Sequence, residues 1–242
     1  MKSKLSKSVL GVGIVVVVAA IAGFWWFTSR DAPEEATLDK AVAGLDSKDP
    51  GASTAEPGLA DGTWKVDTKT GEFNYEEATG TFVGFRIKEE LARLGSATAV
   101  GRTGGVEGSI VVAGNKLTAA EFNVDMASIT TNDIRRDNKV QSALDIREFP
   151  TATFKLTSPV SLGSDPTDGR TIDVKAKGDL TIRGKTRSVE MPIQAKFVDG
   201  TIAVVGSTDI KFSDFGVEVP HSPVVLSVED HGILELQLLF AR

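Results

Sequence analysis

The stretch Ser128–Phe154, SITTNDIRRDNKVQSALDIREFPTATF, decides how the chain is read, because it interrupts an otherwise alternating pattern. On either side apolar and polar residues alternate with period two, the signature of half-buried strands. Before it, Phe122, Val124 and Met126 alternate with Glu121, Asn123 and Asp125. After it, Ile172, Val174, Ala176, Gly178 and Leu180 alternate with Asp173, Lys175, Lys177 and Asp179, and Val189, Met191, Ile193, Ala195 and Phe197 alternate with Glu190, Pro192, Gln194 and Lys196. Within the stretch, Ile134, Val140, Ala143 and Leu144 follow a partly helical spacing. Asn132 is placed as an N-cap and Asp133 suits the positive helix end, so a short helix is expected from Asn132 to Leu144. Pro150 then holds Phe149 extended, and TATFKL resumes a strand.

Turn signals separate the alternating runs at Gly114-Asn115, Asp168-Gly169, Arg183-Gly184 and Asp199-Gly200. The last, set between two alternating runs, is the clearest hairpin. With the closing run Leu234, Leu236, Leu238 and Phe240, the pattern gives about eight strands, mostly joined by tight turns. The expected fold is all-β and antiparallel, with the apolar faces buried in a sandwich or a closed barrel. A barrel of about eight strands has an interior that side chains fill or that holds one small ligand, and the pattern leaves both open.

The chain has 242 residues, 41% hydrophobic and 25% charged, enough for one globular domain with residues to spare. It contains no cysteine, which excludes disulfides, thiolate nucleophiles and cysteine-ligated metal centres. A net charge of −6 provides no basic excess to displace counterions, so nucleic acid is not an expected partner.

Charge divides the chain. The first thirty residues carry Lys2, Lys4, Lys7 and Arg30 and no acid, whereas residues 31–62 carry eight acids against two lysines. Residues 9–27, VLGVGIVVVVAAIAGFWWF, are uncharged, and at about 1.5 Å per residue such a helix spans about 28 Å, close to a bilayer core. The lysines before it place residues 1–8 in the cytoplasm and the remainder outside. Ala20-Ile21-Ala22 has the small-residue spacing of a signal-peptidase site, which would give a secreted protein, but the apolar run continues past it through Phe27. A single-pass membrane anchor is therefore expected at 9–27. Residues 28–62, rich in Ala, Pro, Gly, Ser and acids, read as a flexible acidic linker, in which Thr37–Leu45 lacks the apolar surface to hold a helix alone. The barrel domain is then 63–242.

The segments ASITTNDIRRDNKVQSALDIREFPTATFKL, KGDLTIRGKTRSVEMPI and STDIKFSDFGV resemble, in order, the YceI-like family of exported polyisoprenoid-binding proteins with a lipocalin-like barrel. The matching elements are Ala127-Ser128-Ile129, Arg136-Asp137, Phe149 to Phe154, Gly178 to Gly184 and Asp214-Phe215-Gly216. The resemblance implies an antiparallel lipocalin-like barrel with a short helical insert and an apolar tunnel for a long isoprenoid chain, a quinone tail or a polyprenyl lipid. It implies binding without catalysis and no cofactor.

On that reading the lining residues are Phe85, Phe122, Val124, Met126, Ile172, Val174, Met191, Ile193, Phe197, Leu236 and Leu238. The same residues would also pack a filled core, and the protein would then be an extracellular interaction or adhesion module working through its loops. Arg135, Arg136 and Asp137 are placed either to meet a lipid headgroup or to brace the helix against the barrel. His221 and His231 are the only histidines, and the acids beside His231 point to the opposite strand face, so neither a metal site nor a catalytic pair is expected. Gly101–Gly108, GRTGGVEG, lacks the lysine of a phosphate loop and runs into strand-like SIVV, which predicts a glycine-rich hairpin.

Overall fold

The computed structural model describes residues 32–46, 60–91, 95–163, 169–218 and 225–242. The anchor read at 9–27 and His221 lie outside them. Among the described residues, no helix is long and apolar enough to cross a membrane.

In chain order the elements are α1 (Leu38–Asp46), β1 (Gly62–Val66), β2 (Phe82–Leu91), β3 (Gly95–Thr103), β4 (Val106–Ala113), β5 (Lys116–Asp125), β6 (Thr130–Thr131), α2 (Ile134–Leu144), β7 (Thr151–Leu156), β8 (Val160–Ser161), β9 (Ile172–Ile182), β10 (Lys185–Val198), β11 (Thr201–Lys211), a 3₁₀ turn (Phe212–Phe215), β12 (Val225–Val228) and β13 (His231–Ala241). Hydrogen-bonded neighbours run β1-β4-β5-β7-β9-β10-β11-β13, and β13 returns to β1 with Lys65 opposite Ala241 and Val66 opposite Phe240. This closes a barrel of eight antiparallel strands; the period-two runs predict the strand number and antiparallel pairing, and closure decides between the sandwich and the barrel that they left open.

The barrel departs from a simple meander at one place. β13 pairs with β1 only at its end, and its first half pairs instead with β2, Ile233 to Gln237 lying opposite Arg86 to Phe82. Thus β1 and β2 occupy successive positions along β13, and β4 and β3 do so along them. The Gly101–Gly108 stretch is therefore not the hairpin that its composition predicts. It is a bend at Gly104-Gly105 between two strands with different partners, β2 and β6 for β3, and β1 and β5 for β4. Three short strands add to the sheet outside the ring, β12 on β2, β6 on β3 and β8 on β5.

The hairpins follow the sequence closely. At Gly114-Asn115, Arg183-Gly184 and Asp199-Gly200 both central residues have φ between 47° and 79°. That left-handed geometry matches the twist of the flanking strands.

Residues 33–46 are not the flexible tether that their composition predicts. α1 lays Leu38, Ala41 and Leu45 against Ala203 and Val205 of β11 and Leu239 of β13, with Val42 and Val198 at the edge of the contact. The composition misleads because nine residues are too few for a helix to persist alone, whereas docking supplies the missing stabilisation. Burial of a leucine side chain contributes about 1.5–3 kcal/mol.

Just before α1, backbone oxygens serve as acceptors for two arginines, one half-buried and one fully buried. Arg86 donates to the carbonyl of Pro33 at 3.0 Å, and Arg102 donates to that of Glu34. Arg102 is fully buried, pairs with Glu235 at 2.8 Å, donates to the Tyr75 carbonyl at 2.7 Å and lies over the Phe82 ring. Nearby, the Tyr75 hydroxyl donates to the Val100 carbonyl, and burial pushes this phenol well above its ordinary range.

If docking holds α1 together, Ala41→Glu, which forces a charge into that contact, will strip residues 38–46 of protection from amide hydrogen exchange while β9 and β10 keep theirs. Unchanged protection in α1 would show that the helix does not depend on the barrel.

Candidate functional site

Alternation along each strand puts one set of side chains inside the barrel, and there they enclose a cavity of about 200 Å³. The structure places all eleven residues of the expected lining around it, from Phe85 on β2 to Leu236 and Leu238 on β13. The polar residues at its wall are Thr103, Thr153 and Lys196. Thr103 is already engaged, its hydroxyl 2.6 Å from that of Ser128 and accepting from the Gly105 N–H. Lys196 occupies an outward place in the alternation, between Ala195 and Phe197.

Aromatic rings define the cavity's shape. Phe122 stacks on Phe154 with centroids 6.2 Å apart and meets Phe240 at 5.9 Å. Phe154 and Phe85 lie along the wall where glycines face them. A Cβ on Gly178 would stand 2.3 Å from Phe154 Cζ, and one on Gly101 would stand 2.5 Å from the ring of Phe85. Phe154 and Phe240 are lining residues that the expected set lacked. Their inward position was available from the alternation of TATFKL and of the last strand. The role of the inward glycines was not, since it depends on which ring lies across the sheet.

The two ends of the cavity are built differently. One end is bounded by strand residues, Phe197, Ile202 and Phe240, with Trp64 packed edge-on to Phe197 at 5.8 Å. The other is bounded by Met126, Ile129 and Leu144 of the β5–β7 connection and by Phe212 and Phe215 of the 3₁₀ turn.

The Ser128–Phe154 stretch is thus a structural insert that contributes one end of the cavity. α2 begins at Ile134, two residues later than expected. Asn132 bonds β3 instead of capping the helix, accepting from the Val100 N–H and donating to the Thr98 carbonyl. Arg136 pairs with Glu89 at 2.7 Å and donates to Asn132 at 2.7 Å, while Asp137 accepts from both the N–H and the hydroxyl of Thr131. These contacts brace α2 on the β2–β3 arm, and Arg135 precedes them in the same helix.

The 3₁₀ turn at the same end is held by Asp230, which accepts from the Ser213 N–H at 2.9 Å and the Ser213 hydroxyl at 2.6 Å. The Ser213 hydroxyl lowers the Asp230 pKa below the usual carboxylate range. His231 is exposed and lies 3.0 Å from Asp209. Among the described residues, no group of three or more histidines and acids could hold a metal ion.

An enclosed, hydrocarbon-walled space inside a closed antiparallel barrel defines the class: a small β-barrel with an internal apolar cavity. The chain belongs to the YceI-like family, whose domain matches residues 64–240. It is 30% identical over 166 residues to a UPF0312 protein of Azotobacter vinelandii, covering 64% of this chain and 80% of that protein. A UPF0312 protein of Shewanella denitrificans is 26% identical over 159 residues, covering 62% of this chain and 80% of that one. Among solved structures, BcnA of Burkholderia cenocepacia has the same fold, with a TM-score of 0.51 and 20% identity over 65% of this chain and 95% of its own. So does a polyisoprenoid binding domain from Saccharophagus degradans implicated in plant cell wall breakdown, with a TM-score of 0.52 and 15% identity over 66% of this chain and 93% of its own.

Two outcomes follow from this geometry. Gly178→Ala is expected to destabilise the barrel by about 1–3 kcal/mol in urea unfolding, because the new methyl meets the Lys155 carbonyl as well as the Phe154 ring. A Phe154→Leu background should reduce that cost, and an unchanged cost would show that the ring is not held by the glycine. Separately, Ser213→Ala should raise the Asp230 pKa toward the ordinary range in a carboxyl titration followed by NMR. A carboxylate whose folded pKa is depressed stabilises above its unfolded pKa, and that contribution is lost as pH falls through the folded value. The variant should therefore be less stable than the wild type at neutral pH, with the gap closing as pH falls through the Asp230 titration, and an unmoved Asp230 titration would refute the assignment.

Proposed function

We propose that this protein binds a long apolar ligand of the isoprenoid type, a polyprenyl lipid or the tail of an isoprenoid quinone, inside its barrel. The observation that carries this reading is the cavity itself, walled by inward-facing hydrocarbon side chains, with the Thr103 hydroxyl at the wall already bonded within the protein. An isoprenoid chain offers hydrocarbon along its whole length, and each buried methylene contributes about 0.8 kcal/mol. A charged or sugar-like ligand would lose its hydration there without replacement partners. The fold shared with a domain described as polyisoprenoid binding supports the same reading.

The protein acts as a carrier or store and not as an enzyme. It works outside the cytoplasmic membrane, held there by the uncharged stretch Val9–Phe27 with Lys2, Lys4 and Lys7 on the cytoplasmic side. A tether of this kind keeps the barrel at high local concentration near lipid.

The test is native mass spectrometry with solvent extraction on the full chain released from its own membranes. An isoprenoid of defined mass retained through detergent exchange is the expected result. A bare chain that takes up neither added polyprenol nor added quinone would leave a filled barrel, working through its loops, as the better account. Protease added to intact spheroplasts should remove the barrel domain, and full protection would overturn the extracytoplasmic placement.

A further inference from the structure

The two ends of the cavity differ in what holds them, and the difference bears on which ligands fit. Phe197 sits two residues before the Asp199-Gly200 turn, in register with Ile202, which lies opposite Phe240 on β13. Behind Phe197 stands Trp64, 3% exposed, its ring nearly perpendicular at 81°. The indole N–H donates to the Ala60 carbonyl at 2.9 Å, and the Arg242 guanidinium lies 4.5 Å from the indole centroid while donating to the Asp61 carbonyl at 2.7 Å. Every ring at this end is fixed on a barrel strand and backed by a second contact. At the opposite end, Met126, Ile129, Leu144, Phe212 and Phe215 are carried on connections outside the barrel ladder. Connections open at lower cost than paired strands, which makes the connection-bounded end the easier way in for a ligand.

We infer that Phe197, backed by Trp64, is the floor of the cavity and sets the length of isoprenoid chain taken inside. This inference rests on the reading of the barrel as an isoprenoid-binding protein. Affinity rises with each isoprene unit that enters and levels off once the chain reaches the Phe197 ring, because further units stay in water. Removing the ring moves that point to longer chains.

The experiment presents the full chain with an equimolar ladder of geraniol, farnesol, geranylgeraniol and longer polyprenols, and reads the bound lengths by native mass spectrometry. In Phe197→Ala, and more weakly in Phe197→Leu, the levelling-off point is expected to shift to a longer prenol. The prenol just beyond the wild-type limit should gain at least about tenfold over the one below it. Trp64→Phe, which keeps a ring but loses the indole N–H bond, serves where the alanine variant fails to fold, and a shift in the same direction is expected. Ile193→Val, midway along β10, should weaken all lengths alike. Folded floor variants that keep the wild-type levelling-off point would overturn the assignment of the floor. A wild-type chain that holds no prenol of any length would instead overturn the isoprenoid reading, and the floor with it.

Discussion

The rest of the structure depends on β13 having both edges paired and, from Glu235 to Leu239, an outer face that is covered as well. Its inward residues Leu234, Leu236, Leu238 and Phe240 face the cavity. Its outward residues Glu235, Gln237 and Leu239 are buried as well. One edge pairs with β11, and the other is shared between β2 and β1. Barrel closure, the docking of α1 and the attachment of residues 67–81 all pass through this one strand.

Burial of a polar outer face is tolerable only where every charge finds partners. Glu235 meets Arg102 at 2.8 Å with Arg86 nearby, and the guanidinium groups turn to backbone carbonyls of Tyr75, Pro33 and Glu34. Gln237 donates to the carbonyls of Ala78 and Gly80 and so holds the loop that separates β1 from β2. Polar recognition within the chain is thus concentrated on the outside of the wall, and the inside is left to hydrocarbon. That separation allows one strand to knit the fold together and line a ligand space at once.

The interior shows a second division of labour. Small inward residues and large rings are matched across strands, Gly178 with Phe154 and Gly101 with Phe85. Where an inward residue has no Cβ, the ring beside it lies flat against the sheet and leaves room in the middle. A lumen survives in a barrel of eight strands, which could otherwise be filled completely by its own side chains, because these substitutions remove volume at the wall.

Much of this was legible in the residues alone. Period-two alternation named the inward face of the runs that form β5, β9, β10 and β13 and with it ten of the eleven residues expected at the lining, all but Phe85 on β2, because a strand's two faces are set by local geometry. The turns at Gly114-Asn115, Arg183-Gly184 and Asp199-Gly200 were equally local, since their left-handed dihedrals favour these residue types. What only the tertiary structure decided was contact between distant segments. The bend at Gly104-Gly105 has the composition of a hairpin, and only the partners of β3 and β4 exclude one. α1 looks like linker because a helix of nine residues is stabilised by Ala203, Val205 and Leu239, more than 150 positions further on. Arg136 and Asp137 carry the same charges whether they meet a headgroup or brace a helix, and only the position of Glu89 and Thr131 in space shows the partners they have within the chain. Local pattern determines which way a side chain faces, whereas its partner is determined by packing that no single segment contains.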